Sequence, residues 1–88
     1  MKRKADFKLQ GVAGDFLLVP LAAQVKHLNG IITLNGVAAC LWDQLGQDLS
    51  VDQLAAIVVE RFDVTAGIAL DDVRVFVAEM TRLGLIEP

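Results

Sequence analysis

The sequence contains only one cysteine and one histidine among its 88 residues, which restricts the chemistry that the chain can perform. Cys40 cannot form an internal disulfide, and a Cys/His zinc site would lack ligands. Cys40 also follows two alanines on a predicted helix, where a buried, inert thiol is favoured over a nucleophile because no base is evident nearby. We therefore expect no structural metal and no cofactor.

A catalytic pair of carboxylates is missing as well. Asp71 and Asp72 are adjacent, but neighbouring residues of a helix point about 100° apart. Acidic residues near the start of a helix are explained by the helix dipole. His27 is interpreted as a surface residue near a turn and not as a general base. These observations predict that the chain is not an enzyme.

Long apolar stretches are also absent, and acidic residues outnumber basic ones. No run approaches the roughly 20 apolar residues of a membrane-spanning helix. Lys2, Arg3 and Lys4 lead into further charged residues and not into an apolar signal core, so we expect a cytoplasmic protein with no membrane partner. The net charge of −3 and the isoelectric point near 4.8 oppose a nucleic-acid partner. The one basic cluster, residues 2–4, lies in a terminus that we predict to be mobile.

The sequence shows no repeat, no low-complexity tract and no linker. A chain of 88 residues can build one hydrophobic core, which predicts a single domain over residues 1–88. Hydrophobic residues make up 55% of the chain, a high share for a small protein with a large surface. We infer that some apolar surface is left for a partner.

The first third of the chain has the residue pattern of strands. Apolar and polar residues alternate over residues 5–10, which predicts a strand with one buried face. After a turn, the short apolar run at residues 16–19 predicts a second strand, and the two form a hairpin. Asn29-Gly30 favours another tight turn, and we place the last strand at residues 31–34. The segment 25–28 is either strand or loop.

From Asn35 onward the apolar residues recur at intervals of three and four, which predicts helices. Asn35 is the predicted cap of the first helix. Ser50 and Gln53 predict a capping box at the start of the second. The third begins between residues 65 and 69 and ends before Gly84. The order of elements predicts an α+β domain, in which a small antiparallel sheet of about three strands is followed by three helices.

Two stretches of the sequence match a known family in the order and spacing of their residues. Residues 30–42, GIITLNGVAACLW, contain a strand, a Leu-Asn cap, small residues and a helix with a bulky aromatic. The second stretch begins with LSVDQL at residues 49–54 and continues through paired helices to a closing Gly-Leu-Ile at residues 84–86. Together with the first hairpin, these stretches cover nearly the whole chain. The sequence resembles the PqqD-like family, whose members are also described as RiPP recognition elements.

The resemblance implies a winged-helix-like fold and a binding function. In such a protein the leader segment of a ribosomally made precursor peptide docks as an added strand, beside the last strand and against the third helix. The resemblance also implies a separate modifying enzyme as a partner, frequently a radical SAM enzyme. The sequence departs from the family pattern at Gly36-Val37, after the cap. It departs again at Gly67, which predicts a late start for the third helix.

The candidate binding residues follow from the docking mode that the resemblance implies. From the residues alone, the side of the third helix next to its buried stripe could instead pack on a neighbouring element. A sheet edge offers unpaired N–H and C=O groups, and neighbouring pockets then select the side chains of the added peptide. We expect the side of the third helix next to its buried stripe to supply such a pocket, while Trp42 and Phe76 belong to the core. Arg74 is either a solvated charge or a partner for an acidic leader residue. The predicted peptide-binding residues are Ile31, Ile32, Thr33, Leu70, Arg74, Val77 and Thr81.

Two functions of other classes remain as alternatives. A winged-helix DNA-binding regulator would share this order of elements. The third helix, however, has Asp71, Asp72 and Glu79 against Arg74 and Arg82, whereas a helix that reads DNA normally has basic surroundings. The other alternative is a structural subunit that self-associates through its edge strand, so we expect a monomer or a weak homodimer.

Overall fold

The computed structural model describes residues 1–4, 7–21 and 32–87. β2 (Phe7–Val12), β3 (Asp15–Pro20) and β4 (Ile32–Leu34) form an antiparallel sheet in that order, and β1 (Lys2–Arg3) pairs with β5 (Ile86–Glu87) in a separate two-stranded sheet. The predicted winged-helix-like α+β fold, with a three-stranded sheet followed by three helices, is confirmed. Ile31, His27 and the segment 25–28 lie outside the described residues. The helices of the described chain are α1 (Gly36–Gln44), α2 (Val51–Arg61) and α3 (Ala66–Arg82).

The turn between β2 and β3 fixes which backbone groups of β3 face each neighbouring strand. Ala13 and Gly14 have φ angles of 51° and 86°, the signs required by a two-residue type I′ turn. Val12 and Asp15 lie opposite each other and, as the closing pair of this turn, are hydrogen-bonded. Hydrogen-bonded and non-bonded pairs alternate along an antiparallel ladder. The even-numbered residues of β3 therefore direct their backbone N–H and C=O groups toward β4.

All three helices begin at a side-chain cap. Asn35 caps α1 by accepting a 2.8 Å hydrogen bond from the backbone N–H of Ala38. Ser50 and Gln53 form the reciprocal capping box of α2, and Thr65 caps α3. Each cap satisfies a backbone N–H that has no partner within its helix. The caps predicted at Asn35 and Ser50 are confirmed.

The third helix starts earlier than Gly67 suggests. It runs from Ala66 to Arg82, so the predicted late start is wrong. Thr65 anchors the first turn, and Ala69 is fully buried against the core, which together offset the weak helix propensity of one glycine. Asp71 and Asp72 consequently lie beyond the first turn, which contains no acidic residue. Because the dipole effect falls off within the first turn, it does not account for these two carboxylates.

The end of α3 is closed by a glycine in the left-handed conformation. Gly84 has φ 75°, its N–H bonds to the carbonyl of Thr81, and the N–H of Leu85 bonds to the carbonyl of Met80. This pair of hydrogen bonds is the Schellman motif, in which glycine avoids the steric cost of a Cβ. The predicted stop at Gly84 is confirmed.

Alanine substitutions at one glycine inside α3 and at the glycine just beyond its end should have opposite effects on stability. Gly84→Ala should lower the free energy of unfolding by about 1 kcal/mol, because an L side chain is strained in the left-handed region. Gly67→Ala should raise it by roughly 0.5 kcal/mol, since alanine is the better helix former, and a Cβ there meets no atom within 4 Å. Urea denaturation of both variants measures the effects. A stabilising Gly84→Ala would contradict this interpretation of the motif.

The core is centred on Trp42, whose side chain is only 1% exposed. Its ring meets the ring of Phe7 edge-on, with the centroids 6.2 Å apart. Phe76 is also buried, so both aromatic residues assigned to the core lie there. Cys40 departs from expectation because it is half-buried beside the buried stripe of α1. Its Sγ lies 3.7 Å from Nη1 of Arg61.

The basic residues near the chain start are ordered, contrary to the prediction of a mobile terminus. β1 pairs antiparallel with β5, placing Lys2 opposite Glu87. Nη1 of Arg3 donates hydrogen bonds to the carbonyls of Trp42, at 2.8 Å, and Asp43, at 3.1 Å. These carbonyls lie at the end of α1, where each accepts only a longer hydrogen bond, from the N–H of Leu45 or Gly46 three residues on. A cation is favourable at this end of a helix. The partners are far away in sequence, and the local pattern therefore gives no sign of them.

Candidate functional site

An open cleft of about 360 Å³ separates β4 and the start of α1 from α3. It combines the two elements that the sequence predicts as walls of a binding site, the last strand and the third helix. The strand side and the following helix start contribute Ile32, Thr33, Leu34, Asn35, Val37 and Ala38. The helix side contributes Asp72, Val75, Phe76, Glu79, Met80 and Leu83.

Among the described strands, β4 is paired on one side only, and its other backbone edge faces this cleft. It is the outer strand of the sheet β2-β3-β4, with Ile32 opposite Leu18 and Thr33 opposite Leu17. Because the even-numbered residues of β3 bond toward β4, Ile32 and Leu34 exchange hydrogen bonds with β3. Thr33 occupies the intervening non-bonded pair, so its N–H and C=O point away from the sheet. These are the groups that an added strand would bind.

The helix wall has an apolar floor and an exposed apolar side chain. Phe76 and Met80 are buried and form part of the floor. Val75 is 70% exposed, the highest value among the exposed large hydrophobic residues of the described chain. A valine exposed to this extent in the middle of a helix, beside an apolar cleft, indicates surface that a partner can cover.

The rim of the cleft is acidic. Asp72 and Glu79 are both exposed and line it on the helix side, whereas none of the lining residues in the described chain is Lys or Arg. Glu79 is paired with Arg82, whose Nη2 and Nε donate hydrogen bonds of 2.5 and 3.2 Å. These hydrogen bonds hold the pKa of Glu79 below its ordinary value. Asp72 has no ion pair within the described residues, so it carries the uncompensated charge of the rim.

The structure brings together only part of the predicted site. Ile32 and Thr33 line the cleft, while Ile31 lies outside the described residues. The four helix residues do not line it: Leu70 and Val77 are half-buried against the core, and Arg74 and Thr81 are exposed elsewhere. Their role in peptide binding stays a prediction.

The difference has a simple geometric origin. A helix has two flanks beside its buried stripe, and the residues on them are distinguished only by what packs nearby. Val75 and Val77 point about 200° apart, so they lie on opposite flanks, and the cleft adjoins the flank of Val75. The α3 residues of the cleft that are missing from the predicted site are Asp72, Val75, Phe76, Glu79, Met80 and Leu83. The one sequence signal for them is an apolar residue, Val75, outside the predicted stripe.

No three His, Cys, Asp or Glu side chains come together as a possible metal site within residues 1–4, 7–21 and 32–87. In the same part of the chain, no helix has the length and apolar character needed to cross a membrane. The backbone edge of β4, the apolar floor and the acidic rim make the cleft the candidate site.

Residues 20–86 match the family described as Coenzyme PQQ synthesis protein D (PqqD). The chain belongs to the PqqD family. Two solved structures share the PqqD-like fold, each at 16% sequence identity. One is TbiB1 in complex with the TbiA(beta) leader peptide, with a TM-score of 0.74 and coverage of 99% of this chain and 95% of that one. The other is lasso peptide synthetase B1 complexed with the leader peptide, with a TM-score of 0.73 and coverage of 99% and 96%. Among curated proteins, none matches the sequence.

Proposed function

We propose that this PqqD-family chain binds the leader segment of a ribosomally made precursor peptide in the cleft and presents it to a separate modifying enzyme. The observation that carries the proposal is the outer edge of β4, which pairs with no other strand in the described part of the chain and borders the cleft next to α3. Support comes from family membership and from two structures of the same fold that hold leader peptides. The role is one of binding without catalysis, in a cytoplasmic protein that is a monomer or a weak homodimer. A radical SAM enzyme is the proposed partner.

The two walls of the cleft have different roles in the proposed binding mode: β4 pairs with the peptide backbone, and α3 selects the peptide side chains. The N–H and C=O of Thr33 pair with the peptide backbone, which is possible for almost any sequence. The part of the cleft lined by Val75 and Phe76 takes side chains of the added strand, which gives selectivity. On an added strand every second side chain points to the same face, so alternate peptide residues face α3.

A displayed library of random 16-residue peptides tests whether the cleft binds peptides at all. Enriched peptides are then synthesised and titrated into the ¹⁵N-labelled protein while amide chemical shifts are followed. We expect the largest changes at Thr33 and on the cleft side of α3, around Val75. Largest changes on Arg74 and Thr81 would place the peptide on the opposite flank. Failure to enrich any peptide, or changes confined to α2, would contradict the proposed function.

Thr33→Pro should weaken the binding of an enriched peptide roughly tenfold, because proline removes the outward N–H and its ring obstructs the added strand. The fold should persist, since proline is tolerated on a strand edge whose N–H faces solvent. Ile32 is unsuitable for this test because its N–H bonds toward β3.

Thr33→Ala is the matched control for that variant. It removes the exposed side chain but keeps the N–H, so it should bind within about twofold of the parent protein. Calorimetric titration measures both affinities, and circular dichroism checks folding. Equal losses in the alanine and proline variants would mean that the side chain, and not strand pairing, holds the peptide.

A further inference from the structure

The geometry points to a charge preference in the cleft: it selects leaders in which an apolar side chain is followed or preceded, two positions away, by a lysine or arginine. This inference rests on the proposed function and specifies which peptides the same site accepts. It is carried by the position of Asp72 on the rim relative to the apolar surface of Val75 and Phe76.

The apolar part of the preference follows from the floor of the cleft. Phe76 and Met80 are 6% and 3% exposed and line it together with Val37 and Leu83. A polar peptide side chain placed against these residues would lose its water without gaining a hydrogen bond, which is costly. The side chain that enters the cleft is therefore aliphatic or aromatic.

The basic part follows from the spacing along α3. Asp72 precedes Val75 and Phe76 by three and four residues, which corresponds to about 4.5 to 6 Å along the helix axis. Same-face neighbours on a strand are two residues, or about 6.6 Å, apart. The cleft extends along α3 from Asp72 to Leu83, so an added strand that fills it runs along the helix. When one peptide side chain covers Val75, its same-face neighbour therefore lies near Asp72. A lysine or arginine at that position can rest its apolar stem on the exposed methyl groups of Val75 and direct its charge to the carboxylate.

The charges around the cleft leave Asp72 as the selecting group. Glu79, at the other end of the rim, already accepts two hydrogen bonds from Arg82, so its charge is compensated. None of the lining residues within the described chain is cationic. An acidic peptide residue near Asp72 would be repelled, whereas a basic one would be attracted.

The test compares three versions of one enriched library peptide, with Lys, Gln or Glu at the position two residues from its apolar anchor. The parent protein should bind the Lys version roughly fivefold to tenfold more tightly than the Glu version at low salt, with the Gln version between them. The difference should shrink in 0.5 M salt, as expected of a partly exposed ion pair.

Asp72→Lys should reverse the order, so that the Glu version binds best. Glu60→Lys is the matched control: it makes the same change in net charge on the exposed face of α2, away from the lining residues, and should keep the order of the parent. Equal affinity of the parent for the Lys and Glu versions would overturn the inference, as would equal effects of the two lysine variants. In both cases peptide binding itself would persist, so the proposed function would stand. If no peptide binds the parent protein, the proposed function fails and the charge preference fails with it.

Discussion

Val75→Asp is expected to lower the affinity for an enriched peptide about thirtyfold or more, equivalent to roughly 2 kcal/mol. The new carboxylate would sit where an apolar peptide side chain must be desolvated, and it would lie beside Asp72 and Glu79 on the same rim. The variant should stay folded because Val75 is 70% exposed and contributes little to the core. Calorimetric titration measures the loss, and thermal unfolding checks the fold.

Val59→Asp provides the matched control for this prediction. Val59 lies on α2, is 42% exposed and does not line the cleft, so the same chemical change there should leave peptide affinity within about twofold. Arg74→Glu probes the opposite flank of α3. A larger loss in Arg74→Glu than in Val75→Asp would locate the peptide on the flank predicted from the sequence, and equal losses at Val59 and Val75 would show a general effect of charge.

Trp42→Ala should cost about 3 to 5 kcal/mol of the free energy of unfolding, because it empties the centre of the core. Trp42 is 1% exposed and packs edge-on against Phe7. Domains of this size have a free energy of unfolding of only about 5 to 15 kcal/mol. The variant should therefore lose much of this stability and unfold at a markedly lower temperature. Denaturant titration followed by circular dichroism gives the value.

Phe16→Ala is the comparison that separates burial from the loss of an aromatic ring. Phe16 is 38% exposed on β3, so removing its ring leaves less of a cavity and should cost much less, about 1 kcal/mol. If the two substitutions destabilise the protein equally, Trp42 does not have the central packing role that its burial indicates.

Features that depend on neighbouring residues could be predicted from the sequence. The capping box of Ser50 and Gln53 and the stop at Gly84 each involve residues within five positions of one another, and both are present. The alternation in β2 likewise places Phe7 in the core. These signals are local because their hydrogen bonds and periodicities are local.

Features that depend on distant partners could not be predicted. Arg3 binds the carbonyls that end α1, and nothing in residues 2–4 specifies that contact. The positions of β4 and α1 likewise determine which flank of α3 borders the cleft. The sequence alone does not give those positions, so it does not show whether Val77 or Val75 faces the peptide. Because Leu70 and Val77 are themselves packed against the core, the buried arc of α3 is wider than one stripe.

The direct passage from β4 into α1 gives the site a fixed end. β4 stops at Leu34, and Asn35 already caps the following helix, so the ladder of backbone partners ends there. A peptide docked as an added strand would leave the domain at that point, whatever its sequence. The number of residues between the docked segment and a modified position would then be set by the distance to the enzyme's active centre. Among related precursor peptides, this number of residues would then vary less than the amino-acid composition of the leader.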